Sequence, residues 1–117
     1  VLAFDQFQNL DFDHEFDFMF AFSVLIHLED SISEACFQFV SKYLKADGTF
    51  FANVNIEQHD DAKWQGFPVV FRTLDFYEKM AAANGLKVRN MGQIKDFGHI
   101  SGQDLADKQV MLEIKKA

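Results

Sequence analysis

The sequence predicts an α/β domain, a mostly parallel sheet with an antiparallel last strand, and three observations predict it. An apolar run at 16–22, a helix-period stretch at 31–45 and a β-rich run at 49–55 follow one another directly, the strand–helix–strand order that builds parallel sheets. A second helical pattern at 73–84 leads into another strand-like run at 86–94, which continues the alternation. A closing run at 108–115 is separated from that strand by Gly98, Ser101, Gly102 and Asp104. So long a turn lets the two pair antiparallel and points to one antiparallel strand at the sheet edge.

Each element has a local cause. Residues 1–15 alternate Phe4, Phe7, Leu10 and Phe12 with Asp and Gln and read as an extended, loop-like opening. Residues 16–22, FDFMFAF, are nearly continuously apolar, the pattern of a strand buried on both faces. In 31–45, Ile32, Cys36, Phe39, Val40, Tyr43 and Leu44 recur at three- and four-residue spacing, which makes one apolar helical face. Ser31 with Glu34 three residues on reads as a capping box, and Gly48 lies where the chain must leave the helix. TFFANVN over 49–55 is the next strand. The stretch 56–71 is mixed: a polar loop at 57–61, then an aromatic segment from Trp64 to Phe71 that carries Pro68, the sole proline. The second helix places Leu74, Tyr77, Met80 and Ala81 on one face, with Gly85 just past its end.

Bulk properties exclude several function classes. The 117 residues suffice for one compact domain and not for two, with no repeat, low-complexity tract or linker. Apolar residues make up 49% of the chain and 15 of them are phenylalanine, a composition that fills a core and argues against disorder. No apolar run reaches the roughly 18 residues of a membrane span, because Asp17, His27 and Glu29 interrupt or bound the best candidate. No basic stretch followed by an apolar one opens the chain, and its first residue is Val1 rather than Met. The formal net charge of −7 and the scattered Lys and Arg argue against direct binding to nucleic acid or an anionic membrane. A single cysteine, Cys36, excludes an internal disulfide and suits a reducing, cytoplasmic compartment.

Four segments, in order and at family spacing, resemble class I S-adenosylmethionine-dependent methyltransferases. FDFMFAFSVLIHL (16–28) is similar to the family's fourth strand and following loop, where a Phe-Asp pair opens the strand and a Val-Leu-x-His-Leu run closes it. FVSKYLKADGTFFANV (39–54) resembles the passage from helix to fifth strand. FRTLDFYEKMAAANGLKV (71–88) resembles the late helix that ends in Ala-x-Gly-Leu before the sixth strand, and KQVMLEIKK (108–116) fits the seventh. The resemblance implies that residues 1–117 are a partial Rossmann-like methyltransferase domain, its fourth to seventh strands with their helices. The family's glycine-rich loop, which approaches the methionine part of the cofactor, has no counterpart: Gly48, Gly66, Gly85, Gly92, Gly98 and Gly102 never form that pattern at a strand–helix junction. The ligand of an open α/β sheet lies at the carboxyl ends of the strands, where strand order reverses, so half of that crevice is expected outside this chain. S-adenosylmethionine is accordingly the cofactor expected of the complete domain, and weak or no binding is expected of this chain alone.

The resemblance also places candidate site residues. Ala21, Phe22 and Ser23 follow the first strand and would lie along the cofactor's methionine side; ordinary strand-end packing is the competing reading. Asp5 lies where relatives carry an acidic residue near the adenine amino group, with Asp11 and Asp13 as competitors and a solvated loop as the plain alternative. His27 is the most attractive chemical group, since an imidazole serves as a base near neutral pH. Methyl transfer is an in-line displacement that needs positioning, and a base only where the nucleophile must lose a proton. The competing reading is a histidine hydrogen-bonded inside its loop. Trp64, Phe67, Phe71 and Arg72 stand where relatives place substrate-contacting insertions, an aromatic wall with one cation for an apolar or anionic acceptor; core packing under a loop is the alternative. His59, Asp60, Asp61 and His99 could be imagined around a metal, but structural zinc wants well-spaced Cys or His ligands, and no metal is expected. Asp17 reads as a local cap or pair, and Cys36 as a small core residue.

The leading functional expectation is transfer of a methyl group from S-adenosylmethionine to an O, N or C atom of a small-molecule acceptor. The alternative is a non-catalytic, methyltransferase-like interaction module. A dehydrogenase fragment fits less well, because of the late strand pair. Without upstream strands, the first strand would present an unpaired, phenylalanine-rich edge, an association hazard that predicts a homo-oligomer.

Overall fold

The structure, a computed structural model, describes Phe7 and residues 11–117. Its centre is a four-stranded sheet built from β1 (Phe16–Ala21), β2 (Leu44–Val54), β5 (Leu86–Gln93) and β6 (Val110–Lys116), in the order β1-β2-β6-β5. β1 and β2 run parallel, and the helix α1 (Asp30–Tyr43) connects them. β6 is antiparallel to both β2 and β5. The predicted antiparallel pair is therefore present, but its last strand is not at the edge: β6 inserts between β2 and β5, and β5 takes the edge. The insertion buries Val110, Leu112 and Ile114, each at most 4% exposed. A strand with so apolar an alternation is stabler inside the sheet than at its rim.

Helices α1 and α2 (Leu74–Ala83) cover one face of the sheet. Phe37 and Val40 from α1 and Tyr77, Met80 and Ala81 from α2 pack on Phe50, Ala52, Val54, Leu86, Leu112 and Ile114 in one apolar cluster. α2 ends as its sequence predicts, with Gly85 at φ +70 after the C-cap Asn84, the left-handed conformation that ends helices; at its start the Thr73 side chain accepts from the Phe76 backbone N–H.

α1 begins one residue earlier than its expected cap. Glu29 is the N-cap, with no side-chain cap bond, and its carbonyl accepts from the Ile32 and Ser33 backbone N–H groups. Ser31 thus lies inside the first turn and forms no capping box. Asp30 draws the start forward, because its carboxylate stands in the first turn, favoured by the helix dipole, and pairs with Arg72. Gly48 does not end the helix either. Leu44 already belongs to β2, and a Cβ on Gly48 would meet Leu44 Cδ1 at 2.8 Å and the Phe16 carbonyl oxygen at 3.0 Å. Its glycine serves close strand approach at the β1–β2 irregularity, where Phe16 pairs with Leu44 but Phe18 with Thr49.

β1 is half-buried on one face and exposed on the other. Met19 and Ala21 pack against the core, whereas Phe18 and Phe20 are 59% and 56% exposed. Continuous apolar character signals two buried faces only when both are covered, and here the described helices lie on one side. Two elements lack a clear sequence signal: a hairpin of β3 (Ala62–Trp64) and β4 (Phe67–Val69), and a short helix α3 (Asp104–Asp107) within the expected long turn. No described helix is long and apolar enough to cross a membrane.

Candidate functional site

At the carboxyl ends of β1 and β2 the chain builds a cavity of about 440 Å³, a size suited to small molecules. Its construction starts at Ser23, which adopts φ +58, a left-handed conformation that costs a non-glycine residue about 1 kcal/mol. The cost is offset locally, because the Ser23 backbone N–H donates to Asn53 Oδ1 at 2.6 Å. The turn aims the chain into a single 3-10 turn, Leu25–His27, anchored by the buried side chains of Leu25 and Ile26. The Ile26 carbonyl accepts from the Val70 backbone N–H at 2.8 Å, and the Val70 carbonyl accepts from Asn55 Nδ2 at 3.2 Å. Asn55 is itself held, its carbonyl accepting from the Arg72 backbone N–H.

The hairpin stands beside this turn. Gln65 and Gly66 carry φ +50 and +83, the paired positive φ values of a two-residue hairpin turn. The turn brings the Trp64 and Phe67 rings to 6.3 and 6.2 Å from His27, centroid to centroid. His27 Nδ1 lies 2.7 Å from the Pro68 carbonyl oxygen. A carbonyl only accepts, so Nδ1 carries a proton, and in the neutral tautomer that this defines, Nε2 is the nitrogen with a free lone pair.

The predicted residues divide. Ser23, His27, Trp64 and Phe71 line the cavity together. Ala21 packs against the core and Phe22 stands edge-on to His99, 4.9 Å between centroids; neither lines the cavity. Arg72 does not either. Its guanidinium donates from Nε to Asp30 Oδ1 at 2.7 Å, from Nη1 to Asp61 Oδ1 at 2.6 Å and from Nη1 to the Phe71 carbonyl. The bonds to Asp61 and then Asp30 raise the Arg72 pKa further, and the hydrogen bond from Arg72, with one from the Phe71 N–H, holds the Asp61 carboxyl below the usual range. A cation so engaged ties the hairpin base to α1. Asp5 lies outside the described residues.

His59 and His99, considered in the sequence only around a metal, both line the cavity, yet no described group of three or more His, Cys, Asp or Glu could hold one. Asn53, Asn55 and Gln109 escaped the sequence reading altogether. Their available signal was two asparagines at alternate positions closing an otherwise apolar strand, residues that strands disfavour.

No family model and no curated protein sequence matches this chain. Solved structures do match, at 11–16% identity. One is an S-adenosylmethionine-dependent methyltransferase from Clostridium acetobutylicum, with TM-score 0.70 and 11% identity over 99% of this chain and 64% of that one. Another is an O-methyltransferase from neocarzinostatin biosynthesis in complex with S-adenosyl-L-homocysteine and 1,4-dihydroxy-2-naphthoic acid, with TM-score 0.65 and 15% identity over 99% and 33%. A third is described as a pericyclic reaction enzyme, with TM-score 0.61 and 15% identity over 89% and 27%. This chain thus spans roughly a quarter to two thirds of the chains it matches.

Proposed function

We propose that this chain, which has the fold of part of a Rossmann-like methyltransferase domain, forms the acceptor side of an S-adenosylmethionine-dependent methyltransferase. In the complete domain the acceptor is a small molecule, methylated on a hydroxyl oxygen. The observation that carries this reading is the setting of His27. Its Nδ1–H is committed to the Pro68 carbonyl and its ring stands on the cavity wall, the arrangement a general base requires.

The described residues fit one flank of the cofactor. The sharp turn at Ser23 leaves its own residue at the cavity, at the strand ends where ligands of such sheets lie. S-adenosylmethionine, when bound, supplies an electrophilic methyl group. The chain's own residues do the rest: Trp64 and Phe71 hold the acceptor's apolar body, and His27 Nε2 takes the proton from its hydroxyl. The pairing of Arg72 with two carboxylates keeps the hairpin in place. Ala21, Phe22 and Asp5 would contribute to cofactor binding through backbone or through residues 1–15.

Among the described residues β1 pairs on one side only, and this edge with the exposed Phe18 and Phe20 supports self-association of the isolated chain. A cytoplasmic location suits a single, buried Cys36, whose thiol pKa burial pushes up to about 12. The absence of a Gly-x-Gly loop from these 117 residues favours one second reading, a methyltransferase-like module without catalysis. Titration calorimetry of S-adenosylhomocysteine into this chain and into the full-length product of its gene separates the two. Binding to the longer protein alone is the expected result. Binding to neither would favour the module and return His27 to a structural role.

A further inference from the structure

Three amides run in series from Ser23 to Gln109, both of which line the cavity, through the buried Asn53, and their polarity is determined at one end. The Ser23 backbone N–H can only donate, so the Asn53 atom 2.6 Å from it is the carbonyl oxygen. The other end of the Asn53 carboxamide is then Nδ2, which donates to Gln109 at 2.6 Å. The Gln109 atom receiving that bond must be Oε1. What remains at the tip of Gln109 is Nε2, a donor.

Asn53 is fully buried, and Gln109 is 8% exposed on the cavity wall. Among the described residues, the Tyr77 hydroxyl is the only buried side-chain polar atom without a partner. The Gln109 Nε2 is therefore not a sealed orphan; its open side is the cavity. Gln109 is also fixed through its backbone, its N–H donating to the Ala106 carbonyl and its carbonyl accepting from the Ile94 N–H at 2.8 Å. A buried amide whose neighbours dictate its orientation cannot rotate to suit either kind of ligand group.

We infer that Gln109 is a specificity-determining residue: it presents a fixed N–H donor and selects ligands that place a carbonyl, carboxylate or ether oxygen against it. Asn53 is its positioning residue. A ligand offering N–H at that place leaves two donors face to face, the mismatch by which a polar site rejects a near-isostere. The selection depends on the cavity alone and holds whichever reaction the domain performs.

Two planar bicyclic probes of similar size test it: indanone, whose only polar group is a carbonyl, and indole, whose only polar group is an N–H donor. Both are titrated into the full-length gene product by ligand-observed and protein NMR. Indanone should bind at least about fivefold tighter than indole, the effect of one net hydrogen bond. Gln109→Glu keeps the bond from Asn53 but offers the cavity only acceptor oxygen, and the ranking should reverse. Asn53→Asp keeps the acceptor for Ser23 and removes the donor, so Gln109 can turn over, and the ranking should again reverse. Should that buried substitution unfold the protein, Gln109→Glu and the isosteric Gln109→Met, which should abolish the preference, decide alone. The same ranking in every folded variant, a wild-type preference for indole, or no binding of either probe at millimolar concentration would overturn the inference. Calorimetry with S-adenosylhomocysteine reads the methyl-transfer proposal separately, so the two can fail independently.

Discussion

At the scale of single residues, His27 and Arg72 behave in opposite ways although both were singled out for their chemistry. His27 gives one nitrogen to the Pro68 carbonyl and, in the neutral tautomer, keeps a free lone pair on the other. Arg72 gives Nε and Nη1 to Asp30, Asp61 and the Phe71 carbonyl and does not line the cavity. The difference was not legible locally, because Asp30 lies 42 positions from Arg72 and no periodicity reveals such a partner. For His27 the proposed role makes a sharp prediction. His27→Gln in the full-length product should lower kcat about 10²- to 10⁴-fold and leave S-adenosylhomocysteine affinity unchanged. A kcat within twofold of wild type would make the ring a structural clamp on the hairpin.

At the scale of elements, the signals that worked were those written into neighbouring residues. The apolar face through Tyr77, Met80 and Ala81 and the left-handed Gly85 belong to α2 and place it correctly, while the Thr73 cap emerged only in the structure. The signals that misled were local motifs overruled from a distance. Ser31 with Glu34 has the pattern of a capping box, but the helix starts at Asp30, where Arg72 reaches it. Gly48 has the look of a helix stop, yet it is a contact between strands, its missing side chain leaving room for the Phe16 and Asp17 carbonyls. Gly48→Ala should therefore destabilise the chain by about 1–3 kcal/mol, the cost of overpacking a tight site. Urea unfolding would measure it; a loss under about 0.5 kcal/mol would mean that the β1–β2 irregularity relaxes freely around a methyl group. The hairpin lies between these cases. Gln65-Gly66 is a weaker turn signal than Asn-Gly, and its strands are three residues each, too short for alternation to register.

At the scale of the whole molecule, one face of the sheet carries both main helices and the other carries Phe18 and Phe20, stacked with ring centroids 6.3 Å apart. Phe51 adds its ring 5.7 Å from Phe18. Exposed aromatic area of this kind, on a strand at the sheet edge, favours association. The isolated chain should sediment as dimers or larger species at tens of micromolar, and Phe18→Thr with Phe20→Thr should shift it toward monomer. A wild-type chain that sediments as a clean monomer would mean that this face is covered intramolecularly. The sequence by itself determined the α/β class, the order of the main elements, the helix faces and the likeness to a methyltransferase domain. These follow from short-range periodicity, turn chemistry and segment order. Only the tertiary structure decided that β6 lies inside the sheet, that Arg72 pairs with Asp30 and Asp61, and that Asn53 links Ser23 to Gln109. Each depends on which distant residues the sheet brings within hydrogen-bond reach, and a buried amide or ion pair takes its role from those partners.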